Sequence, residues 1–284
     1  MSGPRFLFSL DVEDPRDQIP GGERLPDRVP ALVERYLRFL DRHSGQGTFF
    51  FVGTVARRHP DLVRRVAAEG HEIACHSEAH VPLERQQPAT FRADLLRNLE
   101  ALDAAGAGSV RGYRAPCFSL TGATAWAYPI LSELGFDYSS SVLPARNPLY
   151  GWPGFGAGPR LIEGVVELPM TLVSPRLAPV PLGGGVYFRA LPWAVLRRGF
   201  MAKLARAPVA GYLHPYDIDL EQERIAFPGF SRRGPFNWLM HFNRASVFPR
   251  LEKVARLGFR FAAYRGYADE ARRALQGEKD KAQA

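Results

Sequence analysis

Apolar residues along the chain fall into short runs of strand formers that alternate with stretches at helical spacing, the pattern of a β/α protein. Arg5-Phe-Leu-Phe-Ser-Leu10 reads as a buried strand, and it ends abruptly in the acidic cluster Asp11-Val-Glu-Asp14-Pro15. Leu32, Tyr36, Phe39 and Leu40 then share one face of a helix over about 29–42, which Gly45 and Gly47 stop before a second strand, Thr48-Phe-Phe-Phe-Val52. A helix over 61–69 closed by Gly70 and a strand over 71–75 repeat the unit. There follow a helix over about 89–105, a strand-like 110–113, a helix near 124–134 and the short Phe136-Asp-Tyr138.

From about 147 to 192 the pattern loosens around Pro148, Pro153, Pro159, Pro169, Pro175, Pro179 and Pro181. This reads as an extended insertion in which Leu168, Met170, Leu172 and Val173 are still buried. Periodicity resumes with a helix from Trp193 to Ala205, a strand over 209–213, a helix over 244–257 and a last strand over 259–263. Residues 1–271 are thus expected to form a single domain, and the charged tail 272–284 to fray.

The length of 284 residues suits one α/β barrel, which closes at about 250. A composition 46% hydrophobic and 23% charged excludes a disordered, collagen-like or coiled-coil chain. The net charge of +8 is scattered through pairs such as Arg57-Arg58, Arg64-Arg65 and Arg197-Arg198, whereas nucleic-acid binding needs a concentrated patch, so no nucleic-acid partner is expected. The sequence contains no apolar run long enough to span a membrane and no signal-peptide pattern, so no membrane span is expected. Cys75 and Cys117, with no paired-cysteine motif, read as buried free thiols of a reducing compartment, and the expected location is cytoplasmic.

Several runs end, on their C-terminal side, in residues able to do acid–base or metal chemistry: Asp11 to Asp14, His76 to His80, Arg114, Asp137 and His214. A β/α barrel assembles its active site at that edge. His76-Ser-Glu-Ala-His80 sets two imidazoles four residues apart, on one side of a helical turn, where both can ligate one metal; an isolated pair could equally be surface histidines. His71-Glu72 is a decoy, because a zinc-protease helix would need histidine where Cys75 stands. Asp11 arrives at the core edge on a buried strand, where a carboxylate is costly unless paired, and Arg114, in a loop stiffened by Pro116, offers the cation. Trp152, Phe155, Tyr187, Phe188, Tyr216 and Trp238 are candidate sugar-stacking aromatics, although most aromatics are core.

Taken in order, Asp-Val-Glu-Asp, His-x-x-x-His, Arg-x-Pro-x-Phe, Phe-Asp-Tyr-Ser-Ser and Tyr-Leu-His-Pro resemble the motifs of the polysaccharide deacetylase (NodB-homology) family. Gly183-Gly-Gly-Val-Tyr-Phe-Arg189-Ala-Leu-Pro192, the segment from Gly211 to Asp219 and the helix from Phe242 toward Phe261 resemble the branch found with bacterial exopolysaccharide export clusters. The resemblance implies a distorted, roughly seven-stranded (β/α) barrel that removes N-acetyl groups from an amino sugar in a polysaccharide or a lipid-linked glycan precursor. It also implies one divalent metal, commonly zinc, held by His76, His80 and an acid. Asp11 matches the catalytic base, Arg114 its partner, His214 the general acid and Asp137 the acid that supports that histidine. Many members carry two adjacent aspartates where this chain has Asp11-Val12, which leaves the metal-binding acid open. Strand alternation puts Glu13 on the face of Asp11, whereas a turn at Asp14-Pro15 would bring in the shorter Asp14 carboxylate, and the expectation leans to Asp14. The rival readings are a related hydrolase of a small cyclic amide and a catalytically degenerate glycan-binding barrel.

Overall fold

The computed structural model describes residues 3–147, 149–174, 178–204, 207–227 and 234–283; Pro148, Pro175, Ala205 and Ala284, which figure in the sequence reading, lie outside them. The first half contains strands β1 (Arg5–Leu7), β2 (Ser9–Val12), β3 (Thr48–Phe51), β4 (Glu72–Cys75), β5 (Gly112–Tyr113) and β6 (Tyr138–Ser139). Between them lie helices α1 (Val29–Arg42), α2 (Gly53–Arg58), α3 (Pro60–Ala68), α4 (Pro88–Ala104) and α5 (Ala127–Glu133). The second half adds β7 (Arg160–Ile162), β8 (Val165–Glu167), β9 (Leu172–Ser174), β10 (Ala178–Pro181), β11 (Gly183–Gly184), β12 (Val209–Tyr212) and β13 (Arg260–Ala262). Its helices are α6 (Gly185–Ala190), α7 (Trp193–Met201), α8 (Pro235–His241), α9 (Val247–Arg256) and α10 (Tyr264–Gln283).

One sheet runs β2-β3-β4-β5-β6-β8 in parallel, with β7 antiparallel at its edge, and a second runs β11-β12-β1-β13 in parallel. Because β1 and β2 are successive segments of one run interrupted at Phe8, and Leu10 bridges Leu213, the two sheets form one curved wall. Toward β8 the wall is joined by Thr171 instead of a ladder: its Oγ1 accepts from Ala210 N at 2.9 Å and its carbonyl accepts from Leu182 N at 2.8 Å. This is a distorted α/β barrel.

Strand alternation decides which residues face the barrel interior. Phe6, Phe8, Leu10 and Val12 point outward and pack with Leu32, Tyr36, Phe39 and Leu40 of α1. Leu7 points inward with Phe50, Ala74, Tyr138, Val166 and Tyr212. The same inward face continues through Ser9 and Asp11 to Glu13, so the first strand carries its apolar side to the helices and its polar side along the barrel toward the active edge.

Two expectations are corrected. The loosened segment supplies barrel strand β8, which pairs with β6 through Tyr138↔Val166 and Ser139↔Glu167. Strands of two to four residues between prolines are too short to show a period. The tail continues a helix: α10 starts at Tyr264, runs through it to Gln283, and is anchored ahead of it by Tyr264, Ala268 and Ala271, which are buried against the barrel. Its first turn sits at the N-terminal ends of the strands, where Thr48 Oγ1 accepts from Tyr264 N at 2.8 Å and Glu72 accepts from Arg265 N at 3.0 Å. Small alanines on the buried face conceal the helix's amphipathicity. The short helices α2, α6 and α8 were not anticipated. No helix among the described residues is long and apolar enough to cross a membrane.

Phe261 meets Phe6, Phe8 and Phe39 edge-on, with ring centroids 5.8, 6.2 and 5.1 Å away. Phe261→Ala should therefore lower unfolding free energy by about 3–5 kcal/mol, read from denaturant midpoints at unchanged m.

Candidate active site

The C-terminal ends of β2, β4, β5 and β12 converge on one cluster. Asp11, on β2, is buried, and its Oδ1 accepts from Arg114 Nη1 at 2.6 Å. Arg114, just past β5, is wholly buried; Ser9 Oγ accepts from its Nη1 at 2.5 Å and the Ser140 carbonyl from its Nε at 3.0 Å. Its guanidinium lies 4.1 Å from the Phe50 ring centroid, which shields it from water. Burial opposes this charge, but Asp11 outweighs it and raises the guanidinium's pKa further. The other carboxylate oxygen of Asp11, Oδ2, lies 3.9 Å from His76 Nε2 and faces the cluster.

His76 and His80 come together as expected, with ring centroids 4.9 Å apart, but not on a helical turn. They sit in a loop in which Ser77 and His80 adopt left-handed backbone angles, φ 64° and 54°, and His80 N donates to Ser77 Oγ at 2.9 Å. His76 Nδ1–H donates to the Arg114 carbonyl at 2.8 Å, which leaves Nε2 aimed inward. Burial pulls the His76 pKa down to about 4, so its ring is neutral and able to ligate at neutral pH.

Glu13, not Asp14, completes this group. Its Oε2 is buried without a hydrogen bond although it lies 2.6 Å from His80 Nε2, while Oε1 accepts from Tyr216 Oη at 2.9 Å. Burial raises the Glu13 pKa, but His80, His214 and His76 outweigh it and hold the carboxyl below the usual range. Ligand atoms of Glu13, His76 and His80 lie within 4.8 Å of one another. Two imidazole nitrogens and a carboxylate oxygen around an orphaned buried acceptor fit a divalent cation of the zinc type with a position left open. The lean to Asp14 is corrected. Asp14 caps the turn Pro15–Gln18 by accepting from Arg16 N at 3.0 Å, and it pairs with Arg16 at 2.6 Å and Arg58 at 2.8 Å. Alternation persists through position 14, so its side chain leaves the barrel face and is taken up by two guanidiniums.

His214 follows β12, and its Nδ1 lies 2.9 Å from Asp217 Oδ2, which also accepts from His214 N at 2.9 Å. Its Nε2 points to the cluster, 3.8 Å from Glu13 Oε1, and Tyr216 stacks on the ring at 4.7 Å. Burial disfavours the charged ring, but Asp217, with Glu13 and Asp11, outweighs it and raises the His214 pKa to about 9. Arg189, wholly buried on α6, lies 2.9 Å from Asp217 and also donates to the carbonyls of Leu239, Met240 and Phe242 at the end of α8. Burial raises the Asp217 pKa, but Arg189 and His214 lower it to about 2.

Asp137 is therefore not the acid behind His214. It precedes β6, at the opposite end of the barrel, and is held by Arg111, while its carbonyl accepts from Arg272 at 2.6 Å. The sequence signal for Asp217 was present in His214-Pro-Tyr-Asp217, where proline opens a tight turn whose third residue can reach back to accept from the backbone N–H of His214, just before it. Arg189 carries no such signal. Of the candidate aromatics, Tyr187 and Tyr216 line the cleft above the cluster, Phe155 and Phe188 are core, and Trp238 is exposed on α8. Both cysteines are free; Cys75 is buried, whereas Cys117 is exposed and lines the cleft, contrary to the expectation that both are buried.

Residues 21–139 match the polysaccharide deacetylase family, and residues 140–269 match DUF3473, a domain of unknown function. A chitooligosaccharide deacetylase of Bradyrhizobium sp. is 38% identical over 76 residues, 27% of this chain and 35% of that protein. A peptidoglycan-N-acetylglucosamine deacetylase of Bacillus cereus is 30% identical over 75 residues, 26% of each chain. The chain thus spans about a third of the length of the chitooligosaccharide deacetylase it matches. Among solved structures, a Mycobacterium smegmatis protein assigned as a polysaccharide deacetylase superposes with TM-score 0.63 at 24% identity, covering 95% of this chain and 90% of that one. A CE4 family pseudoenzyme of Bacillus anthracis superposes with TM-score 0.54 at 14% identity, over 94% and 66%. These two likenesses concern the fold, which an active and an inactive protein can share. The ladder from β6 to β8 crosses the boundary between the two matched segments, so both build one wall. Residues 21–139 carry a domain of the polysaccharide deacetylase family, and the DUF3473 segment that follows brings His214 to the same cluster.

Proposed function

We propose that this protein hydrolyses the acetamide of an N-acetylated amino sugar in a glycan, using a divalent cation, zinc by its donor set, at Glu13, His76 and His80. The observation that carries the reading is the placing of a paired carboxylate, Asp11 with Arg114, and a paired imidazole, His214 with Asp217, on either side of that trio. The chitooligosaccharide and peptidoglycan deacetylases to which the chain is similar support the substrate class. A pure glycan binder has no use for both pairs, which favours an enzyme over a degenerate barrel.

When bound, the cation would polarise the acetamide carbonyl and make the attacking water more acidic. Asp11 Oδ2, which faces the cluster while Oδ1 is tied to Arg114, takes the proton of the attacking water. His214, protonated at neutral pH, gives its Nε2 proton to the sugar nitrogen as the C–N bond breaks, so acetate and a free amine leave. Arg189 and Asp217 hold the ring so that this nitrogen faces the cleft.

Zinc-reconstituted protein should release acetate from chitooligosaccharides, and Asp11→Asn and His214→Ala should each lose about 10²–10⁴-fold in kcat while retaining metal. Wild-type turnover in both would end the reading. Metal titration separates the neighbouring acids: Glu13→Gln, His76→Ala and His80→Ala should bind zinc at least tenfold more weakly, whereas Asp14→Asn should bind it as wild type does.

The pH profile separates the two acids assigned to His214. A general acid works while protonated, so activity should fall as pH rises through the His214 pKa. Asp217→Asn removes the anion that raises this pKa, and the basic limb should move to lower pH. A bound cation would lower the starting value without changing that direction. Asp137→Asn should leave the limb in place.

A further inference from the structure

Helix α4 carries two buried polar residues one turn apart, Asp94 and Asn98, on a face whose other buried members, Phe91, Leu95, Ala101 and Leu102, are apolar. Both reach the loop between His76 and His80. Asp94 Oδ2 accepts from Glu78 N at 2.9 Å, while Asn98 Nδ2 donates to the Ser77 carbonyl at 2.5 Å and to the Phe51 carbonyl, at the end of β3, at 3.0 Å. The Ser77 carbonyl and the Glu78 N–H are the two ends of one peptide group. A single helix therefore grips one peptide plane at both ends.

That plane decides where the second histidine points. Ser77 has φ 64°, a conformation that a residue with a Cβ leaves unless its surroundings hold it. Its carbonyl also accepts from Gly53 N at 3.0 Å, and the Glu78 carbonyl accepts from Thr54 N at 3.1 Å, so α2 steadies the loop from the other side. The bond from His80 N to Ser77 Oγ lies inside the loop, where it shapes the turn but cannot place it against the barrel. Packing alone does not account for the pair on α4. Asn98 Oδ1 is buried with no hydrogen-bond partner among the described residues, a cost that an apolar side chain at this position would avoid. Neither residue lines the cleft, so neither meets substrate.

Resting on the reading of Glu13, His76 and His80 as a cation site, we infer that Asp94 and Asn98 are positioning residues for that cation: they clamp the 77–78 peptide and so keep His80 within reach of Glu13 and His76. Both Asn98 partners are carbonyls, which fixes its NH2 group toward the loop. Release of the peptide lets Ser77 relax to negative φ, which turns the residues that follow and carries His80 away. His76 stays in place, because its Nδ1 is tied to the Arg114 carbonyl and its backbone N donates to the Phe51 carbonyl at 3.0 Å. The loss falls on one ligand of three.

Zinc titration of the full chain, with cobalt(II) as a spectroscopic probe and acetate release from chitooligosaccharides measured in parallel, tests the clamp below each variant's unfolding midpoint. Asp94→Ala and Asn98→Ala should each bind zinc about tenfold or more weakly, and the visible cobalt(II) bands should shift. Asp94→Asn keeps an oxygen for Glu78 N and should retain wild-type affinity. Leu102→Ala, at a buried leucine one turn further along α4, should lower the unfolding midpoint and leave zinc affinity and the cobalt(II) spectrum unchanged. Wild-type affinity in both alanine variants, or the same loss of zinc in Leu102→Ala, would overturn the inference. A tenfold loss in Asp94→Asn would overturn it too, since charge and not the hydrogen bond would then be at work. Hydrogen exchange needs no variant: in metal-free wild type the Glu78 amide should exchange far more slowly than in an unstructured peptide, and the unstructured rate there overturns the clamp. Zinc affinity that follows the clamp without acetate release overturns the deacetylase reading alone, whereas acetate release with zinc affinity indifferent to both alanine variants overturns the inference alone. A wild-type chain that binds no zinc overturns both.

Discussion

A guanidinium with no access to water is tolerable only if every direction around it is satisfied, and Arg114 imposes that demand on the centre of this barrel. Ser9 and Asp11 come from the first strand, the Ser140 carbonyl from the end of β6, and the faces of Phe50 and Tyr264 from β3 and α10. Removing one partner of such a pair typically costs about 3–5 kcal/mol, because the other charge is left stranded. The interaction that orients Asp11 therefore also fastens the first strand to the middle of the sheet and to the last helix. The aim of Asp11 and the closure of the barrel rest on the same contact.

A second buried arginine does the corresponding work for the other half of the chain. Arg189 binds Asp217, and so the turn that aims His214, while holding carbonyls at the end of α8. The two halves meet where Asp11 N donates to the Leu213 carbonyl at 2.8 Å, one residue before His214. Tyr216 adds a further tie through its bond to Glu13. On the proposed reading, the base and the cation-binding trio come from residues 11–80 and the acid from the segment that matches DUF3473, so neither segment would carry the chemistry alone.

Uncommon backbone conformations gather at the mouth of the site. Ser77, His80, Cys117 and Phe118 all have positive φ, between 54° and 64°, in the loops after β4 and β5. Non-glycine residues adopt this region at a cost, and surrounding contacts must hold them there. In the first loop the result is two imidazoles converging on Glu13 without a helix to space them. In the second it is a loop that carries Cys117 and Phe118 into the cleft wall.

The alternation of buried strands and amphipathic helices, and the reactive residues at the C-terminal ends of those strands, were legible in the sequence because both are local. A strand shows a period of two, a helix shows 3.6, and the run from Phe6 to Glu13 carries its facing information within itself. That period already favoured Glu13 over Asp14; only the folded chain showed that Arg16 and Arg58 hold Asp14 away from the histidines. The turn His214-Pro-Tyr-Asp217 gave a local hint of Asp217, but the strand pattern could not choose between it and Asp137, since both stand beside a strand with a chemically suitable side chain. Asp137 precedes its strand and Asp217 follows one, which puts them at opposite ends of the barrel, and that difference exists only once the strands are stacked in parallel. Strand β8, the helical tail and the Arg189–Asp217 pair likewise depend on contacts between residues far apart in the chain. Sequence period determined which side chains share a face; tertiary packing determined which faces meet.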